Sequence, residues 1–165
     1  MKLKSSMAPV GASDARLLLL GSLPGDASLA AQRYYAHSTN QFWRLLGAAL
    51  GEGLAELGYV ERLERLVARG VVLWDVVDRA TRSGSLDGAI RGASANRLAE
   101  FVVGHPRLAA VGFNGQTAAL IGRRALAGVD GLALIDLPSS SAAFTLGFAS
   151  KAERWKSLAG FVDPV

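Results

Sequence analysis

Four short apolar runs punctuate this chain, and none of them alternates with polar residues: RLLLLG (16–21), VVLWDVV (71–77), LAAVGF (108–113) and LALIDL (132–137). A strand with one wet face alternates apolar and polar side chains, whereas a continuous run is covered on both faces. Amphipathic stretches lie between the runs. NQFWRLLGAALG and YVERLERLVARG separate the first two, ANRLAEFVVG precedes the third, GQTAALIGRRALAG precedes the fourth, and KAERWKSLAGFV follows. In YVERLERLVARG, Val60, Leu63, Leu66 and Val67 recur at helical spacing and Arg62, Glu64 and Arg65 face away. Strands alternating with helices across short links predict a three-layer α/β/α sandwich around a four-stranded parallel sheet. With 165 residues, 50% of them hydrophobic and 19% charged, the chain suits one domain with a proper core. That domain is expected over 16–165. The start, MKLKSSMAPVGASDA, is basic and then small and polar, and reads as a flexible arm at 1–15. The polar, glycine-rich DRATRSGSLDGAIRGAS (78–94) reads as the least ordered interior stretch.

Parallel sheets bind ligands beyond the carboxyl ends of their strands. After the first run come Ser22, Leu23, Pro24, Gly25 and Asp26; after the second, Asp75, Asp78 and Arg79; after the third, Asn114 and Gly115; after the fourth, Pro138, Ser139, Ser140 and Ser141. GSLPGD lets backbone approach a flat ligand or cradle a phosphate, or it is a plain tight turn. It is neither a Walker loop nor a dinucleotide fingerprint. In YYAHSTNQFW, Ser38 and Gln41 have capping-box spacing, which predicts a helix beginning near Ser38. That spacing leaves Asn40 unexplained in the first turn, where asparagine has no helical advantage. Phe42 and Trp43 suit the core. Tyr34 and Tyr35 are core residues with satisfied hydroxyls, or one of them offers its face to a base. The serines of LPSSS hold phosphate oxygens or form an ordinary turn. Ser150 and Glu153 repeat the capping-box spacing before the last helix, where Lys151, Arg154 and Lys156 steer DNA or form a solvated face.

Other chemistries lack their residues. There is no cysteine, so disulfides, thiolate nucleophiles and cysteine-held metals are excluded, and a reducing, cytoplasmic setting is compatible. His37 and His105 are the only histidines and lack metal-ligand spacing. No G-x-S-x-G elbow is present. The expectation is a site without metal or organic cofactor. The net charge of +4 suits a polyanionic partner. No run reaches the roughly 20 apolar residues of a membrane helix, and the start lacks the apolar centre of a secretion signal.

In order along the chain, GSLPGD, YYAHSTNQFW, LWDV, GSLD, FNG and LPSSS resemble the uracil-DNA glycosylase superfamily, and within it the hypoxanthine-DNA glycosylase branch. The resemblance runs from Leu17 to the final helix. Its most specific part, YAH..N.FW, is also similar to mismatch-specific uracil-DNA glycosylase. It implies an enzyme that extrudes a deaminated base (hypoxanthine, uracil or xanthine) from damaged DNA and hydrolyses its N-glycosidic bond; a monomer is the default expectation for such a chain. Asn40 matches the branch's catalytic amide, which accepts a hydrogen bond from the attacking water. Ser22, Leu23, Pro24 and Gly25 would meet the base edge, Tyr35 its face, with His37 and Asn114 nearby. Ser139, Ser140, Ser141 and Lys151 would bind DNA, and Phe144 or Leu146 would wedge into the stack. The chain departs from the pattern at several places. Uracil-removing relatives carry Asp or Asn where Leu23 stands, which implies slower chemistry here. A histidine is replaced in the last motif by Ser139 to Ser141, a proline by Ser38, and a Pro-Asn pair by Ala142 and Ala143. Two other readings stay open: a nucleotide or phosphate-ester hydrolase using Asp26, Asp75 and Asp78 as metal ligands, and a non-catalytic module that recognises damage.

Overall fold

The computed structural model describes residues 2–165. Its strands are β1 (Lys2–Ser5), β2 (Leu17–Gly21), β3 (Val71–Asp75), β4 (Val77–Arg82), β5 (Arg91–Ala95), β6 (Ala110–Asn114) and β7 (Ala133–Leu137). Its helices are α1 (Asp26–Ala31), α2 (Phe42–Leu50), α3 (Tyr59–Arg69), α4 (Leu98–Val103), α5 (Gln116–Ala125) and α6 (Phe148–Trp155). The four apolar runs supply the expected sheet, parallel throughout, in the order β3-β2-β6-β7. Every residue of β2 is buried, as a central strand covered on both faces requires.

Alternation of side chains across the sheet divides the core in two. Leu17, Leu19, Val71 and Leu73 pack with Leu45, Leu46 and Trp155 on one face. Leu18, Leu20, Val72 and Val111 pack with Leu98, Ala118 and Leu126 on the other. The inward stripe of α3 is narrower than its spacing suggests. Leu66 is buried, but Val60 and Val67 are 67% and 49% exposed. Their place inside is taken by Arg69, which donates to the carbonyls of Leu50 and Asp163 and to Glu52.

A second, antiparallel sheet in the order β1-β4-β5 lies outside the expected sandwich. It overturns two expectations. The arm at 1–15 is tied down over its described residues: β1 pairs with β4 from Lys2↔Arg82 to Ser5↔Arg79, and Val10 bridges Leu73. The stretch 78–94 is largely the β4–β5 pair. VVLWDVV is therefore not one strand. It breaks at Val76, where the amides of Val76 and Val77 donate to the carbonyls of Gly21 and Ser22. Those two bonds fasten the second sheet to the turn after β2.

Two helix starts also move. The helix expected from Ser38 begins at Phe42, because Asn40 Oδ1 takes the Phe42 amide at 3.0 Å and Ser140 O takes the Gln41 amide at 2.9 Å. The last helix begins at Phe148 with Gly147 as its cap, so Ser150 lies inside it.

Candidate active site

A cavity of about 480 Å³ opens at the carboxyl ends of the parallel strands. The turn after β2 forms one wall, the Tyr34–Asn40 loop a second, and the serine turn after β7 a third. Of the expected site residues, Ser22, Leu23, Pro24, Gly25, Tyr35, His37, Asn40, Asn114, Ser139, Ser140, Ser141 and Phe144 all line it. Leu146 and Lys151 do not. Sequences 100 residues apart meet here because all four strands point the same way.

Asn40 sits in a closed network. Its Oδ1 accepts from the Phe42 amide at 3.0 Å and from Ser140 Oγ at 2.8 Å. Ser140 Oγ in turn accepts from Asn114 Nδ2 at 2.8 Å, and the Ser140 amide donates to Asn114 Oδ1 at 2.8 Å. The main-chain amide of Phe42 is an unambiguous donor, which fixes which end of the Asn40 carboxamide is oxygen. The expectation that this oxygen accepts from a water is corrected: both its lone pairs are taken, and Nδ2 is the end left for a solvent molecule.

Two other expectations change, and His37 keeps its place at the cavity while shaping the loop. Ser140 is 1% exposed and spent inside this network, so it holds no DNA phosphate. Lys151 is fully buried and donates to Gln41 Oε1 at 2.8 Å and the Ser141 carbonyl at 3.1 Å. It braces the serine turn from behind, and burial pulls its ammonium pKa down. His37 is exposed, and its Nδ1 faces the amide and hydroxyl of Thr39 at 3.2 and 2.9 Å, which shapes the loop.

Tyr35 has its ring stacked on Phe42, centroids 3.8 Å apart and planes 10° from parallel. Phe42 packs edge-on against Trp43 and Trp155, so the stack stands on the core. The Tyr35 backbone lies at φ +54°, in the left-handed region that a tyrosine rarely enters. Such strain is kept where neighbours over-determine it.

Sequence reasoning missed how the second sheet closes the site. Ser85, Leu86 and Asp87, from the connection between β4 and β5, line the cavity too. Ser85 Oγ accepts from the Asp26 amide at 3.0 Å, and Ser22 Oγ donates to Asp87 Oδ1 at 2.5 Å. Arg82 is 1% exposed behind the turn. Its guanidinium donates to the carbonyls of Leu23, Pro24 and Gly84. Leu23 itself is 5% exposed and belongs to the core on that side. Asp75, at the tip of β3, is 3% exposed. Burial and then the Asp87 carboxylate push its carboxyl up to about 7, against the pull of Arg82. A carboxylate closing an apolar strand at the ligand edge was the available signal for it. Asp26 is paired with Lys4 at 2.6 Å. Among the described residues no three His, Asp or Glu side chains group so as to hold a metal ion, and no helix is long and apolar enough to cross a membrane.

A family profile described as "Uracil DNA glycosylase superfamily" matches residues 8–159. The chain is 40% identical over 113 residues to a hypoxanthine DNA glycosylase of Methanosarcina barkeri, covering 68% of this chain and 72% of that one. It is 39% identical over 102 residues to a hypoxanthine DNA glycosylase of Methanosarcina acetivorans, covering 62% and 65%. A solution NMR structure from Methanosarcina acetivorans, described provisionally as a uracil DNA glycosylase, superposes with a TM-score of 0.86 at 33% identity, over 96% of this chain and 97% of that one. Strand order, the cavity at the strand tips and these matches agree that the chain belongs to the uracil DNA glycosylase superfamily.

Proposed function

We propose that this protein is a monofunctional DNA glycosylase that extrudes a deaminated base, with hypoxanthine the leading substrate and uracil and xanthine as others, and hydrolyses its N-glycosidic bond. The observation that carries the reading is Asn40: a carboxamide held at the cavity wall by Phe42 and Ser140, with no partner for its nitrogen among the described residues. Flipping is needed because the sugar carbon and the base edge are out of reach inside a stack, and mispaired bases flip at lower cost. A base on the cavity side of Tyr35 extends the aromatic stack that Phe42 begins. Backbone groups of Ser22 to Gly25 meet its edge. Ser139 and Ser141 contact flanking phosphates. Phe144 at the cavity wall and Leu146 beyond it, 41% and 39% exposed, are the apolar side chains available to fill the gap in the duplex.

In the chemical step the bond between the base nitrogen and the anomeric carbon breaks, and its electron pair leaves with the base. The sugar takes on cation character, and a water oxygen bonds to the anomeric carbon. That water then loses a proton, and the departed base gains one. Asn40 Nδ2 donates to the water and fixes its place, which leaves a lone pair to face the sugar. This is a proximity effect, since an amide is no strong base. Leu23 brings no carboxylate, so the rate depends on a base that is already a tolerable leaving group. DNA is the partner and no cofactor enters any step.

The test presents oligonucleotides carrying deoxyinosine, deoxyuridine or deoxyxanthosine and looks for alkali-labile strand breaks. Cutting of deoxyinosine DNA that Asn40→Ala abolishes, with binding retained, supports the reading. No cutting of any of the three above a no-enzyme control overturns it.

A further inference from the structure

A second cavity, of about 550 Å³, lies on the far side of the Tyr34–Asn40 loop. Tyr34, Tyr35, His37 and Asn40 line both cavities, so this one loop is the septum between them. It is anchored from the second side. The Tyr59 hydroxyl accepts from the Tyr34 amide at 3.0 Å, and Trp43 Nε1 donates to the Tyr34 carbonyl at 3.2 Å. His37 and Ser38, midway along the loop, are exposed. The two cavities differ in charge. Asp26, Asp75 and Asp87 line the first, and no lysine or arginine does. Arg33, Arg44 and Arg62 line the second, and no aspartate or glutamate does. Most other arginines of the chain stand within 4.0 Å of a carboxylate, whereas these three have no carboxylate partner among the described residues. Like charges gathered without counter-charges repel one another, and such a patch attracts an anion.

The three guanidinia are held differently. Arg62 donates from Nε and Nη2 to the carbonyls of Leu54 and Ala55 at 2.9 and 2.8 Å, and lies 5.2 Å from the centre of the Trp43 ring. Arg33 lies over Tyr59 at 5.4 Å and Arg44 over Phe148 at 4.8 Å. Guanidinia cover the Trp43 and Tyr59 rings, so the cavity offers guanidinium edges rather than a stacking face for a base. A fork of N–H donors fits the oxygens of a phosphate. We propose that the second cavity holds a backbone phosphate of the lesion strand beside the extruded nucleotide, with Arg33 and Arg44 as its direct contacts and Arg62 as a fixed charge behind them. The inference rests on the glycosylase reading above, in which the nucleotide itself occupies the first cavity. No cation of the first cavity can neutralise the strand there. The serine turn on another wall brings hydroxyls and amides, and the lysine behind it is sealed from solvent. A strand that leaves the first cavity over His37 and Ser38 comes down among the unpaired arginines.

The experiment reads binding by fluorescence anisotropy, on an oligonucleotide carrying 2′-fluoro-deoxyinosine. The fluorine disfavours cation character on the sugar and keeps the lesion intact. The double variant Arg33→Gln/Arg44→Gln should lower the slope of log K against log salt by about 1.5 to 2, close to 1 for each lost phosphate contact. Arg97→Gln/Arg124→Gln removes the same charge from exposed positions that line neither cavity, and should leave the slope unchanged. Phosphates flanking the lesion are then replaced one at a time by neutral methylphosphonates. At one position, on one side of the lesion, the replacement should weaken wild-type binding by roughly 10-fold and leave the Arg33/Arg44 variant unaffected. Circular dichroism checks that the variants fold. An unchanged slope in the Arg33/Arg44 variant, an equal fall in the control pair, or methylphosphonate effects that match in both proteins at every position overturns the proposal. If the wild type cuts no lesion, the glycosylase reading falls by itself. The slopes measured on an undamaged strand then decide the second cavity: a fall confined to the Arg33/Arg44 variant supports it as a phosphate site, and no such fall overturns it.

Discussion

On the Asn40 side of the cavity the oxygens are all engaged, in a chain that runs from Asn114 through Ser140 to Asn40. On the Asp75 side the Tyr35 hydroxyl and Asp75 Oδ2 are buried without a hydrogen-bond partner among the described residues. The first arrangement is finished before any ligand arrives. Its parts are rigid, and a solvent molecule bound to it inherits that rigidity. The second is finished only by something that enters. One cavity thus joins a wall whose hydrogen bonds are complete to a floor whose polar atoms have no partner among the described residues.

The largest break in that contrast is Asn40→Ala. Excision of hypoxanthine should fall by about 10³-fold or more, since water placement and its electrostatic support are lost together. Binding of the same DNA should change only a few-fold, as an anisotropy titration would read. Next comes Ser140→Ala, which removes the hydroxyl between the two asparagines. A loss on the order of 10²-fold is expected from the freed carboxamide, with about 1–3 kcal/mol of stability lost from the unpaired amides. Ser139→Ala, by contrast, should stay near wild type in stability; equal losses from both serines would erase the distinction.

The Asp75 side is sharpened by pH. Burial and the Asp87 carboxylate raise its carboxyl to about 7, so it carries a proton below that point and a charge above it. Stability follows the same titration. The folded carboxyl titrates near 7 and the unfolded one near its ordinary value of about 3.9, so the folded state holds an extra proton between the two. Thermal stability should therefore fall as pH rises from about 4 to 7, and Asp75→Asn should lose that slope.

The smallest effect on activity belongs to Lys151→Met. A lysine on phosphate would lower the salt slope of DNA binding by about 1 when removed. Lys151 is sealed under the serine turn, so the slope should not move, while thermal unfolding should show a loss of about 1–3 kcal/mol.

The same division explains what could be read from the amino-acid sequence. Leu17 to Leu20 and Val71 to Leu73 announce their strands because burial on both faces leaves an uninterrupted apolar trace. The ligand edge follows from the parallel order. Lys2–Ser5 leaves no such trace: three of its four residues are exposed, and only pairing with β4, some 80 residues away, makes it a strand. The start of α2 was misplaced for a related reason. Ser38 and Gln41 offer a local cap, but the contest is settled by Asn40 and by a carbonyl from Ser140, a hundred residues distant. Ser140 and Lys151 look like surface residues by type, and only partners brought in by the fold hide them. Asp75 was visible as a strand end, but its lack of partners is a property of the assembled cavity alone.

The buried guanidinium of Arg82 has a geometric corollary. It grips the Pro24 carbonyl from outside the turn. In a trans peptide the N–H points opposite to the C=O. Anchoring that carbonyl outward therefore swings the Gly25 amide the other way, away from the second sheet. A cation that never meets solvent sets the compass bearing of a main-chain donor, and replacing it would turn that donor without altering any side chain that lines the cavity.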